Sequence, residues 1–178
     1  MANTTFSGPV RSKNGFQSIG PGAAIALTAA TDLTVAAHAG RLLTMDPVGT
    51  PTAITLPTIN ATADSAVAGA SDPNNPSTIG TTFEILFIDE FTGTISTDGT
   101  DKFVGSVMVG VDDGSKKAFV PAASNDVMNL NGEAGTGNAT KGGLIGSRVK
   151  FTATADNTYM VEGLLIGDGT IVTPFADA

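Results

Sequence analysis

Apolar and polar residues alternate along most of this chain, and the alternation has period two. Thr81–Ile88, reading TTFEILFI, is the clearest case: Phe83, Ile85 and Phe87 fall on one side and polar residues mostly on the other. The same pattern predicts strands at Gly93–Thr97, Phe103–Val111, Lys117–Val120, Val127–Leu130, Arg148–Thr154, Thr158–Leu165 and Thr170–Val172. Between them stand DG, NG, GG and DN pairs, the residues that tight hairpin connections use. Nearer the start the pattern is weaker. Ala23–Ala30 and Leu33–His38 are rich in Ala, which helices tolerate. Ile25/Leu27 and Leu33/Val35 nevertheless alternate with small or polar residues, so the reading is strand, turn, strand. Gly40 then turns the chain into Arg41–Thr44, and Ala53–Pro57 (AITLP) is a further strand that Pro57 ends.

Two stretches lack this periodicity. Residues 1–22 are broken by Gly8-Pro9, Gly15 and Gly20-Pro21-Gly22, which exclude a helix or a long strand and predict an extended arm. Residues 60–80 collect loop-forming residues and predict a long surface loop, with room for a turn of helix at Ala63–Ala68. The expected architecture is therefore all-β: a single-domain β-barrel or β-sandwich over residues 23–178, preceded by the arm. No fixed-period repeat and no internal domain boundary is evident.

Composition sharpens this picture. Of 178 residues 41% are hydrophobic, enough for one core, and 22 are Gly. Cysteine is absent, which removes disulfides, thiolate nucleophiles and Cys-based metal sites, and fits assembly in a reducing cytoplasm. The first residues carry no apolar stretch of the signal-peptide kind, and the longest apolar runs, around Ile85–Ile88 and Leu164–Ile166, are too short to cross a bilayer. A net charge of −8 argues against direct binding to nucleic acid. The charge is unevenly spread: two of the 9 basic residues, Arg11 and Lys13, lie in the arm, while all 17 acidic residues lie beyond it. A basic arm on an acidic body suggests docking on an acidic partner such as another protein; the alternative is that two charges are too few to carry meaning.

Candidate chemistry is sparse. His38 is the single histidine, and without a converging partner it reads as a turn or packing residue. Gly132–Gly143 (GEAGTGNATKGG) has neither phosphate-loop nor dinucleotide-loop spacing, since Gly142 follows Lys141 and Thr140 stands where a third glycine belongs. Asp98-Gly-Thr-Asp101 and Asp112-Asp113-Gly114 fit hairpin turns; the alternative, a Ca²⁺ site, would need six or more oxygens in a defined loop. No nucleophile–base set is visible, so neither an enzyme nor a cofactor is expected.

A series of short phrases, in order along nearly the whole chain, resembles a family of tailed-phage virion proteins, many of them capsid decoration or cement proteins. The phrases are Phe6-Ser-Gly-Pro-Val10 with Asn14-Gly-Phe16, Leu33-Thr-Val-Ala-Ala-His38-Ala-Gly40-Arg41, Thr55-Leu-Pro57 and Gly80-Thr-Thr-Phe83. They continue as Asp126-Val-Met-Asn-Leu-Asn-Gly132, Gly146-Ser-Arg-Val149, Asp156-Asn-Thr-Tyr159-Met-Val-Glu-Gly163 and Gly167-Asp-Gly-Thr170, ending at Thr173-Pro-Phe175. The family pattern often carries Trp where this chain has Tyr159, and the Ala63–Ser77 loop is longer than in shorter members. The resemblance implies an all-β barrel or sandwich, a homotrimer, and attachment to the major capsid protein on the outside of an icosahedral shell, after synthesis in the host cytoplasm. The arm, Met1–Gly22, is then the capsid-clasping segment, with Phe6 and Phe16 as aromatic anchors and Arg11 and Lys13 as ionic contacts. The alternative for the aromatics is packing onto their own β-body. Two rival roles are a fibre, spike or tail-associated β-protein for host attachment and, more distantly, a secreted carbohydrate-binding domain.

Overall fold

The structure is a computed structural model that describes residues 24–46, 52–61, 78–133 and 138–178. It is all-β, as expected, and takes the sandwich form. The first strands are β1 (Ala24–Leu27), β2 (Thr31–Asp32), β3 (Leu42–Met45), β4 (Thr52–Thr55), β5 (Thr82–Phe87) and β6 (Thr92–Ser96). They go alternately to two sheets. β1, β3 and β5 run parallel in one, and β2, β4 and β6 run parallel in the other. Parallel neighbours cannot be joined by a tight turn. Here each crossover passes through the opposite sheet, so the chain winds as three stacked coils.

The remaining strands are β7 (Lys102–Gly110), β8 (Lys116–Phe119), β9 (Val127–Asn131), β10 (Arg148–Ala155), β11 (Thr158–Ile166) and β12 (Phe175–Ala176). β10 inserts antiparallel between β5 and β11, β11 runs parallel to β7, and β8 closes that side as a hairpin partner of β7. The result is a seven-stranded sheet of order β1-β3-β5-β10-β11-β7-β8 and a five-stranded sheet of order β12-β9-β6-β4-β2. The β10–β11 turn is Asp156-Asn157, with Asn157 at φ 55, a left-handed position that Asn accepts more readily than most residues.

One core lies between the sheets. Every second residue of the central strands points inward: Phe83, Ile85 and Phe87; Val149, Phe151 and Ala153; Tyr159, Val161 and Leu165 are all buried. From the other sheet Ile54, Ile95, Met128, Leu130 and Phe175 meet them. Phe103 on β7 joins the layers, with its ring 5.4 Å from Phe151 and 6.3 Å from Phe175 across the core. Each such side chain stabilises the fold by about 1.5–3 kcal/mol relative to exposure. Gly105, at φ 103, allows β7 to approach β11 closely, because a Cβ there would lie 2.3 Å from the Val161 carbonyl oxygen.

Two expected strands are corrected. The second half of Leu33–His38 is a single helical turn, α1 (Val35–His38). Thr34 caps it, its hydroxyl accepting the Ala37 N–H, while the Thr34 N–H donates to Nδ1 of His38 at 2.9 Å. Thr170–Val172 is no strand either. Its backbone partners are scattered, with the Val172 N–H bonded to Thr140 O and the Ile171 carbonyl to Lys117 Nζ, and Ile171 is buried from a loop. The last strand comes later, at Phe175–Ala176. Residues 1–22, with Phe6, Arg11, Lys13 and Phe16, lie outside the described residues, as does most of the 60–80 loop.

Candidate functional surface

The outer face of the seven-stranded sheet carries the residues that strand alternation turns away from the core. One row crosses it as Leu86, Arg148, Leu164, Met108 and Ala118 on five adjacent strands. The next row is Glu84, Lys150, Glu162 and Ser106. The charged side chains neutralise one another: Arg148 pairs with Glu84, and Lys150 Nζ lies 3.0 Å from Glu162. Such exposed pairs contribute about 0–1 kcal/mol each. Their effect here is to cancel the charge within these two rows, on a body that is acidic as a whole.

The apolar side chains on this face are open to solvent. Leu164 is 51% exposed, Val104 44% and Met108 43%, and Ile145, in the loop before β10, is 57% exposed. Leu164 separates two hollows. One, of about 480 Å³, is lined by Val111, Leu144, Leu164 and Ile166, with Asp112 and Asp168 also on its wall. The other, of about 460 Å³, is lined by Arg148, Lys150, Glu162 and Leu164. Leu164 and Met108 are neighbours across β11 and β7, and adjoining exposed apolar side chains of this kind mark interaction sites in soluble proteins. The sequence carried a signal for it. The runs VMV in β7 and MVEGLLI in β11 place large apolar residues on both faces of strands whose neighbours alternate cleanly.

The other candidate residues occupy separate places. His38 sits in α1, bonded to its own turn. Asp112 and Asp113 form the β7–β8 turn: Asp113 Oδ1 accepts the Ser115 N–H at 2.6 Å, and this bond holds its carboxyl below the usual range. Asp98 and Asp101 form the β6–β7 turn. Partial burial pushes the Asp98 carboxyl up, but hydrogen bonds from Thr58, Asp101 and Thr100 outweigh it and leave it lowered. The described ends of the Gly132–Gly143 loop dock on Phe91, whose N–H donates to Gly143 O while its carbonyl accepts from Gly132. Among the described residues no three His, Cys, Asp or Glu side chains are grouped to hold a metal ion. Comparison with protein-family models, curated proteins and solved structures finds no match.

Proposed function

We propose that this protein is a structural component of a tailed-phage virion that binds the outer surface of the capsid and stabilises it mechanically, without catalysis. The observation that carries this reading is the exposed apolar pair Leu164–Met108 on an acidic sandwich, in a row whose charged member, Arg148, is paired with Glu84. Two acidic bodies repel over most of their surfaces, and this face is where a shell protein can approach without that repulsion. The arm, through Phe6, Arg11, Lys13 and Phe16, is a second point of attachment. A homotrimer would present three faces and three arms, so that modest contacts multiply into firm attachment. The resemblance of the ordered phrases to decoration and cement proteins supports the same reading.

The test adds protein to bare shells and measures co-sedimentation and stoichiometry to the major capsid protein. The double variant Leu164→Glu, Met108→Glu should remain folded and lose most of its binding, and deletion of residues 1–20 should weaken binding separately. Unchanged binding by the double variant would remove the sheet face from the interface. The three parallel coils favour one other reading, a fibre or spike, because stacked coils extend readily into elongated shapes. A copy number far below that of the capsid protein would support that alternative.

A further inference from the structure

Three consecutive residues that leave β4, Pro57, Thr58 and Ile59, are each held by a different side chain. The Tyr159 hydroxyl donates to the Pro57 carbonyl at 2.6 Å. The Thr58 hydroxyl donates to Asp98 Oδ2 at 2.8 Å, and the Ile59 N–H donates to Asp101 Oδ2 at 2.8 Å. The holders are themselves fixed. Asp98 Oδ1 accepts the N–H groups of Thr100 and Asp101, the Asp101 carbonyl accepts the Thr97 hydroxyl, and Tyr159 is paired with Phe103 just beyond the turn. The chain is thus clasped to the β6–β7 turn from three directions.

Asp101 is the stressed member of the clasp. It is 0% exposed, and its second oxygen, Oδ1, is buried with no hydrogen-bond partner among the described residues. A buried carboxylate ion with an unfilled oxygen is costly unless a cation or a proton compensates it. Among the described residues, the groups that face it are Asp98 from its own turn, Asp156 from the β10–β11 turn and Tyr159 from β11, and none of these is cationic. Lys102, next in the chain, is committed to Asp126 at 2.6 Å and to the Gly99 carbonyl. Asp98 is already engaged, Oδ1 by two N–H groups and Oδ2 by the Thr58 hydroxyl, and among the described residues no three metal-ligating side chains are grouped here. A proton on Asp101 removes the buried charge. Burial first, then repulsion from Asp98 and Asp156, outweighs the Ile59 N–H and pushes the Asp101 carboxyl up from its usual 3.8. Burial, with the Asp101 and Asp98 charges, likewise raises Tyr159, which therefore stays a hydroxyl donor.

We propose that the clasp on Pro57–Ile59 is operated by a proton: neutral Asp101 keeps it shut, and ionised Asp101 draws water to Oδ1 and loosens it. The sign follows from linkage. The folded carboxyl binds its proton more tightly than the unfolded one, so this site gains stability as pH falls through the raised folded value towards 3.8. That is the reverse of an ordinary surface carboxylate.

The test uses the intact protein, with the Asp101 carboxyl followed by NMR across pH and the Ile59 amide by hydrogen exchange corrected for intrinsic rates. Asp101 should titrate above 3.8, and Ile59 protection should fall on the order of tenfold as pH rises through that midpoint. Asp101→Asn keeps an acceptor for Ile59 and should make its protection independent of pH. Asp156→Asn, in an exposed turn that accepts Asn, removes one repelling charge and should lower the Asp101 midpoint and the protection curve together. A midpoint at or below 3.8, or pH-independent Ile59 protection in the unaltered protein, would overturn the proposal.

Discussion

The strands from Ala24 to Ser96 and those from Lys102 to Ala176 build the same sandwich by different means. The first group alternates between sheets and its members pair with one another only in parallel, and β1 and β2, its outermost strands, are four and two residues long. The second group is anchored by two hairpins, and its β7 and β11 are nine residues each. The edges differ as well. β8 carries Lys116 and Lys117, charges that discourage further strand pairing, whereas β1 (AIAL) carries none. Stability should therefore be concentrated where β5, β10, β11 and β7 lie side by side and should decline towards the first coil.

The largest expected effect tests that gradient directly. Phe151, at the centre of the larger sheet and fully buried, should cost about 3–5 kcal/mol when replaced by Ala. Leu27, buried to a similar degree but on the outermost coil, should cost about 2 kcal/mol when replaced by Ala, because a short edge strand can relax into the gap. Denaturant unfolding of the two variants measures the difference, and equal losses would show that the first coil is as firmly set as the centre.

A smaller effect sharpens the comparison at the one parallel contact inside the second group. Gly105→Ala puts a Cβ 2.3 Å from the Val161 carbonyl and demands a positive φ from Ala, so β7 must shift away from β11. The expected loss is about 1–3 kcal/mol, read from the denaturation midpoint. Amide exchange should speed up along Phe103–Val107 and Tyr159–Gly163 and not in β1–β4.

The two groups also differ in how far the sequence reveals them. The strands of β5 to β11 sit within a residue or two of the positions that alternation and turn residues predict, and two of their pairings, β7–β8 and β10–β11, are hairpins set by short connections. The coils are harder to read because their pairing is non-local. Ala24 pairs with Leu42 and Leu42 with Glu84, while Thr31 pairs with Ile54 and Ile54 with Ile95. Those unequal steps conceal a structural repeat from any search for a fixed period. The helical turn at Val35–His38 was hidden for a different reason: Leu33 is buried and Val35 partly so, which imitates strand alternation, and the deciding bonds come from Thr34 and His38. On the outer face, Leu164 and Met108 were visible as apolar residues, but only the two-sheet arrangement reveals which of them lack a covering layer. The unfilled oxygen of Asp101 leaves no trace in the sequence, where Asp98-Gly-Thr-Asp101 reads as an ordinary turn.

The smallest effect concerns how the second group is closed. Asp126, 4% exposed, precedes β9 and gathers four partners: Lys102 Nζ at 2.6 Å and the Ala178 N–H at 2.9 Å on its carboxylate, the Ala176 carbonyl through its own backbone N–H, and the Thr97 N–H on its own carbonyl. Burial pushes its carboxyl up, but the bonds from Lys102 and Ala178 and the Lys102 charge outweigh that and leave it lowered. A lowered folded value means that Asp126 stabilises the fold above the unfolded value of 3.8 and that this contribution is lost as pH falls through the folded value. Asp126→Asn keeps an acceptor for Ala178 but loses the charged bond to Lys102. Because Lys102 is about a third exposed, the loss at neutral pH should be near the low end for such bonds, about 1 kcal/mol. It should shrink as the solution is acidified below 3.8, so the unfolding curves of the two proteins converge there. Exchange should quicken at β12 and the end of β9 while β1–β4 stay unchanged. A loss that persisted undiminished in acid would mean that Asp126 acts through its backbone bond to Ala176 and not through its charge.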